Sequence, residues 1–137
     1  MVVMPLIAFG RVLVMMGAGL APVQGSDDPG LTLSCLPQTA EVAKVCALMR
    51  DVIAAGRPDH AVQMVDAEMH PETMIAVRLN VEEIKKDALA VHLEWRQPAQ
   101  DWQRGETRVL TVMDRDLNER MITWFFETLW AESPGAR

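Results

Sequence analysis

The stretch MIAVRLNVEEIKKDALAVHLEWR, residues 74–96, determines the fold that this sequence predicts. Apolar and polar residues alternate along both halves, which is the pattern of two strands with one dry and one wet face, because successive side chains of a strand point to opposite sides. The charged residues 85–87 between the halves predict a turn. Because this turn lacks Gly and Asn, we expect a longer or bulged connection. The apolar positions are Ile75, Val77, Leu79, Val81, Leu89, Val91, Leu93 and Trp95.

The flanking sequence predicts an α+β fold, a two-layer sandwich. We expect an antiparallel meander of about four strands with the N- and C-terminal helices packed on one face. Further strands are predicted at residues 61–69 and 107–113. The short spacers between the strands favour antiparallel pairing, since parallel strands need long crossovers.

Two amphipathic segments predict the helices. Residues 37–55 carry apolar side chains at three- and four-residue spacing, on one stripe. The final helix is predicted to begin at Asp116, with Glu119 completing a capping box. Its apolar stripe is wider than a surface helix needs, so it is either buried or available to a partner. The first stripe consists of Val42, Val45, Cys46, Met49, Val52 and Ile53.

The N-terminus predicts export. Residues 1–25 have a late positive charge, Arg11, then an apolar run and small residues, which is the layout of a cleaved signal peptide. The alternative is an uncleaved segment that anchors the protein in a membrane. We therefore expect a periplasmic or secreted protein with a tether at 26–36, one domain at 37–132 and a tail at 133–137.

Cys35 and Cys46 are the only cysteines. An even count in an exported small domain predicts a disulfide. Both residues cannot lie on one helix, where their separation would be about 16 Å. Pro37 is suited to the first helical turn, so that Cys35 would lie in an extended lead-in that doubles back along the helix. The alternative is a buried free Cys46 and an unrelated Cys35.

Composition and motifs limit the function classes. The net charge of −6 argues against nucleic acid and against anionic lipid. The sequence contains no zinc-protease motif, nucleophile elbow or Gly-rich phosphate loop. We therefore expect no catalysis and no cofactor.

Two surfaces are candidates for binding a protein partner or a second copy of the chain. The first is the wet face of the predicted sheet, together with a tryptophan in the loop before the last strand. The second is the extra width of the final helix. The candidate residues are Arg78, Glu82, His92, Glu94, Trp102, Ile122, Phe126 and Trp130.

The sequence favours an exported, non-catalytic accessory or protein-binding domain. The alternative is a small metal-handling protein or enzyme that uses the predicted hairpin tip at residues 64–74. Thioethers and an imidazole are ligands that suit Cu(I), although methionine is also a common core residue. The candidate ligands are Met64, Met69, His70 and Met74.

Overall fold

The computed structural model describes residues 30–136, which form one six-stranded sheet and two α-helices. The predicted signal peptide, residues 26–29 of the predicted tether and the last residue lie outside this range. A 3₁₀ helix, Pro134–Ala136, follows the second α-helix. The elements in chain order are β1 (Leu31–Leu36), α1 (Ala40–Gly56), β2 (Val62–Met64), β3 (Ile75–Lys85), β4 (Ala88–Arg96), β5 (Gln103–Arg104), β6 (Arg108–Thr111) and α2 (Glu119–Ala131).

The sheet is mixed, so the α+β class is confirmed but the antiparallel meander of about four strands is wrong. The strand order is β2-β1-β3-β4-β5, and β6 also pairs with β4. β1 runs parallel to both β2 and β3, while β4 is antiparallel to β3, β5 and β6. Helix α1 supplies the long crossover that a parallel pair requires, between β1 and β2.

The predicted tether at 26–36 is wrong for residues 31–36, because these residues form strand β1. Leu31 and Leu33 are fully buried in the core, and Thr32 and Ser34 are buried on the opposite face. β1 lies between β2 and β3, and the core covers one of its faces while His70 covers Thr32 and Ser34 on the other. Residues 31–36 are therefore an internal strand and not part of a tether.

Helix α1 buries the predicted stripe of six residues. It begins at Ala40 rather than at Pro37, because the Thr39 side chain accepts a hydrogen bond from the Val42 N–H and caps the first turn. The Leu36–Pro37 peptide bond is cis. The extended residues before the helix return along it, and Cys35 bonds to Cys46 with a Cα–Cα distance of 6.0 Å. The predicted disulfide is confirmed.

Helix α2 begins later than predicted. Asn118 is its N-cap, and its side chain accepts a hydrogen bond of 2.9 Å from the Met121 N–H. The predicted capping box of Asp116 and Glu119 is therefore wrong, since Glu119 is the first helical residue. Asparagine caps a helix as well as aspartate does, so Asn118 can cap α2 in place of Asp116, two residues earlier.

The hairpin of β3 and β4 has the predicted register of faces, but its turn is only two residues long, at positions 86–87. The irregularity that we expected in the turn lies inside β3, where a bulge separates Val81 from Glu83. The bulge places the extra residue, Glu82, beside β4 while Val81 and Ile84 both pack in or against the core.

Two other predicted strands are shorter than expected. The strand at 61–69 is reduced to β2, and residues 65–74 cross from β2 to β3 without regular structure. The strand at 107–113 is reduced to β6. The predicted tail is part of the fold as far as it is described, because Ser133 is buried and Ala136 packs against the core.

One hydrophobic cluster joins the inner face of β1, β3 and β4 to both helices. Its largest fully buried side chain is Phe126 of α2. Within residues 30–136, no helix combines the length and the apolar character that a membrane span requires.

Candidate binding surface on the polar face of the sheet

The side of the sheet opposite the core carries a cluster of polar side chains, here called the polar face. Alternation along β1, β3 and β4 places these residues together, because each neighbours core residues that point the other way. The structure therefore places these polar side chains on one face of the sheet, and residues 65–74 cover part of that face. The polar face consists of Thr32, Ser34, Arg78, Asn80, Glu82, His92, Glu94 and Arg96.

Residues 65–74 are here called the covering segment, and His70 bonds this segment to β1. Its Nδ1 lies 2.6 Å from Thr32 Oγ1, and its Nε2 lies 2.8 Å from Ser34 Oγ. The Thr32 hydroxyl also lies 3.3 Å from the Ile75 carbonyl oxygen, to which it donates. One neutral tautomer satisfies all these contacts, with Nδ1–H donating to Thr32 and the Ser34 hydroxyl donating to Nε2. The imidazole therefore functions here as a buried polar crosslink.

The surroundings of His70 favour its neutral form. Burial is the main cause that lowers its pKa from 6.5 to about 4, and the positive charges of Arg78 and Arg96 add to it. Both effects disfavour an imidazolium, because the charged form loses hydration and meets like charges. His70 is thus uncharged at neutral pH.

Trp102 lies over the same cluster. Its ring stands edge-on to His70, with ring centroids 5.3 Å apart. The guanidinium carbon of Arg78 lies 4.1 Å from the ring centroid, and that of Arg96 lies 5.0 Å away. Cations stack favourably on an indole face. The loop tryptophan therefore covers the polar face, where it is half-buried.

The two arginines also hold the covering segment through its backbone. Arg78 donates to the Ala67 carbonyl oxygen at 3.2 Å, and Arg96 donates to the carbonyl oxygens of His70 and Pro71, each at 3.2 Å. An irregular segment needs such donors because it has no ladder of its own. These bonds position residues 65–74 across the strands.

Glu94 balances the charge of this cluster. It accepts hydrogen bonds from Arg78 at 3.0 Å and from Asn80 at 2.8 Å. Burial alone would raise the pKa of Glu94, but the bonds from Asn80 and Arg78 outweigh that effect and the net pKa is lowered. Glu94 is therefore ionised and occupied within the protein, which reduces its availability to a partner.

A second group on the polar face surrounds the bulged residue Glu82. His92 Nδ1 and the Thr107 hydroxyl each lie 2.6 Å from the same Glu82 oxygen, and Arg104 is 3.9 Å away. The Thr107 bond is the larger cause, and the His92 bond the next, that lower the pKa of Glu82. The bulge thus directs a carboxylate between β4 and the residues before β6.

Neither His92 nor His70 forms, with a neighbouring hydroxyl, a nucleophile and base pair that a substrate can reach. At His92 the hydroxyl of Thr107 bonds to the carboxylate and not to the imidazole, whereas an activated nucleophile needs a bond to the base. At His70 the Ser34 hydroxyl does meet the imidazole, but Ser34 is only 1% exposed. A substrate has no access to that pair in this conformation.

The structure does not assemble the four candidate copper ligands. Met64 and Met69 line one groove beside α1, whereas His70 is bonded through both ring nitrogens to β1. Met74 packs on Gly30, where an added Cβ would lie 2.5 Å from its methyl carbon. Within the described chain, no three His, Cys, Asp or Glu side chains are close enough to hold a metal ion.

The expected stripe of α2 is mostly directed inward. Phe126 is fully buried, Trp130 is 4% exposed, and only Ile122 is partly accessible. The proposal that Phe126 and Trp130 offer a surface to a partner is therefore contradicted for the folded single chain. Phe126 and Trp130 are buried because α2 packs against both α1 and the sheet, which requires a wide apolar face. The exposed aromatic residue of α2 is Trp124.

Sequence reasoning missed the hydroxyls of the polar face, Thr32 and Ser34, because it placed them in a tether. The alternation in LTLSCL, residues 31–36, was the available signal, with two leucines and a cysteine separated by two small polar residues. It also grouped Met69 with His70, although the structure directs these neighbours to different sides of β1.

Comparisons with known proteins identify the fold. No protein-family model and no curated protein match the sequence. Two solved structures of PelC from Paraburkholderia phytofirmans are similar to it. The PelC dodecamer has a TM-score of 0.57 at 13% identity, over 76% of this chain and 87% of that chain. A dodecameric PelC variant has a TM-score of 0.53 at 14% identity, over 76% and 85%. At this identity the likeness shows that the chain shares the fold of PelC.

Proposed function

We propose that this chain is an exported, non-catalytic accessory domain that works by binding further copies of itself. The observation that carries the proposal is its similarity in fold to two PelC structures, both of which are dodecamers. A fold that builds a homo-oligomer in one protein offers a similar set of edges and faces to another, although the contacts must be supplied by this chain's own residues.

The disulfide supports the exported part of the proposal. Cys35 and Cys46 are bonded, and no free cysteine remains in the part of the chain that is described. Structural disulfides persist in oxidising compartments and are rare where thiol reductants are abundant. This agrees with the signal-like composition of residues 1–25.

Exposed apolar side chains support the self-associating part. Methionine, valine and tryptophan side chains at five positions of the described chain remain between 46% and 85% exposed. Single exposed apolar residues are ordinary, but groups of them at strand edges are typical of contact surfaces. Four of them are at the edges of the sheet, Met64, Met69, Val109 and Met113, and the fifth, Trp124, lies on α2.

The contacts within the polar face favour a binding role for this protein over a catalytic one. Its histidines, carboxylates and arginines are bonded to one another and to residues 65–74, in a cluster that fixes the backbone. A catalytic group must instead be free to reach a substrate. Because these polar groups are occupied within the protein, the sheet edges are the surfaces on which a second copy can pack.

Sedimentation velocity tests this proposal. The full-length chain is expressed with its own N-terminal segment, purified from the envelope of the host, and measured over a concentration series. We expect species that are multiples of the protomer, whose uncleaved mass is 15.3 kDa. A loss of residues 1–25 in the intact mass would support export. A monomer at every concentration up to about 1 mM contradicts self-association, because it would mean a dissociation constant above about 1 mM.

A further inference from the structure

We infer that copies of this chain join head to tail, with the β6 end of one copy packing into a groove beside β2 of the next. This inference rests on the proposed self-association and names the two surfaces that carry it. The groove end comprises β2, the N-terminal part of α1 and Met69. The knob end comprises β6 and Met113, which follows it.

The distribution of exposed apolar side chains points to these two ends. Among the described residues, four of the five exposed large hydrophobic side chains lie at opposite edges of the sheet. Met64 is 46% and Met69 is 67% exposed at the β2 edge, while Val109 is 59% and Met113 is 85% exposed at the β6 edge. An apolar group at each edge is what a repeated contact between unlike edges requires.

The groove has room for side chains of another molecule. It encloses about 850 Å³ between α1 and the β2 edge, beside the disulfide. Its walls include Val42, Val65, Met64 and Met69, and its rim is closed by a 3.3 Å hydrogen bond from Gln38 to Asp66. Flexible methionines adapt to an inserted apolar group, and Met113 of a second copy is the most exposed such group in the described chain.

Charge separates a head-to-tail contact from a symmetric one. Residues 57–72, the segment that contributes Met64, Asp66 and Met69 to the groove, carry four carboxylates and one arginine, whereas residues 103–116, the segment that contains the knob, carry three arginines and three carboxylates. Two grooves placed face to face would oppose like charges, which disfavours that pairing. The segment that contains the knob is neutral overall, so it meets the acidic segment of the groove without that penalty.

The strand edges are consistent with the same arrangement. β2 has β1 on one side only, and β6 has β4 on one side only, so both are open at the end of the sheet. A contact between two different patches is heterologous, and it produces a closed ring or an open filament according to the rotation between copies. A symmetric two-fold contact would instead stop at a dimer.

A mixing experiment tests the inference. Met69→Asp places a charge in the groove, and Met113→Asp places one on the knob. Because every head-to-tail contact uses one groove and one knob, either variant alone is expected to shift assembly to at least about 100-fold higher concentration. Mixed in equal amounts, the two variants retain one intact groove and one intact knob, and we expect a one-to-one dimer that grows no further.

The controls address folding and the surface used. Trp124→Gln changes an exposed residue of α2 that belongs to neither end, and it is expected to assemble as the wild type does. All variants should show the wild-type circular dichroism spectrum. If the wild type assembles but either aspartate variant assembles equally well, or the mixture stays monomeric, the head-to-tail contact is wrong while self-association stands. A wild type that never assembles overturns the proposed function and this inference together.

Discussion

At the scale of single residues, His70 shows that the role of a side chain can differ from the role that its residue type predicts. In the sequence it stands between Met69 and Pro71 and is a candidate metal ligand. In the structure both ring nitrogens are bonded to hydroxyls of β1, and two arginines lie nearby. No local pattern identifies these partners, since Thr32 and Ser34 precede it by 38 and 36 residues.

The lowered pKa of His70 predicts a pH-dependent stability. The unfolded chain takes up a proton near pH 6.5, and the folded chain takes it up only near pH 4. The stabilisation is therefore complete above about pH 6.5 and is lost as the pH falls toward 4. We expect the free energy of unfolding to decrease by at most about 1.4 kcal/mol per pH unit across this window, measured by urea denaturation.

His70→Gln is the matched variant for this measurement. It keeps a polar side chain without a titrating imidazole, so its stability should be lower at pH 7 but nearly constant between pH 5 and 7. Glu82 and Glu94 also have lowered pKa values, but the stability that they contribute is lost mainly as the pH falls below their ordinary value of 4.5, and so mostly outside this range. An equal pH slope in both proteins would refute the assignment to His70.

At the scale of elements, helix α2 combines a correct periodicity with a wrong assignment of its exposed face. The three- and four-residue spacing identifies the helix and its apolar residues. Whether a wide stripe is buried or offered to a partner depends on how many elements pack around it, and here α1, the sheet and the 3₁₀ helix all contact α2. That number is a property of the tertiary fold.

Two substitutions on α2 test this placement. Phe126→Ala removes a fully buried ring, and we expect it to lower the free energy of unfolding by about 3–5 kcal/mol. Trp124→Ala alters a side chain that is 63% exposed, and its effect should be within about 0.5 kcal/mol. Chemical denaturation of both variants measures the difference. Comparable losses in both would show that α2 is rotated from the orientation described.

The link between β1 and α1 gives a second prediction at this scale. Cys35 and Cys46 close a loop with a sequence separation of 11. Loop-closure entropy predicts that the double variant Cys35→Ala/Cys46→Ala loses about 3 kcal/mol. Thermal unfolding of the wild type in reducing buffer should show a similar loss. A wild type indifferent to reductant under conditions that free both thiols would contradict this.

At the scale of the whole molecule, the order of the strands assigns an internal position to β1. It lies between β2 and β3, and both of its faces are covered, by the core on one side and by His70 on the other. β5, by contrast, consists of two exposed residues at the end of the sheet. Residues 31–36 of the predicted tether are thus a buried internal strand of the sheet.

Hydrogen exchange tests this order. Backbone amides of Leu31–Leu36 that bond to neighbouring strands should exchange only through global unfolding and be at least about 100-fold slower than those of Gln103–Arg104. Mass spectrometry of peptic fragments resolves the two regions. Rapid exchange throughout β1 would show that it is a detachable edge.

The sequence by itself determined the local features of this protein: the hairpin faces, the buried stripe of α1, the existence of α2 and the pairing of Cys35 with Cys46. Each depends on periodicity or on a short separation along the chain, where side-chain spacing sets which groups can meet. The tertiary structure decided the parallel partners of β1, the burial of Phe126 and the contacts of His70. Those depend on which distant segments pack together, a choice made by the combined burial of all elements.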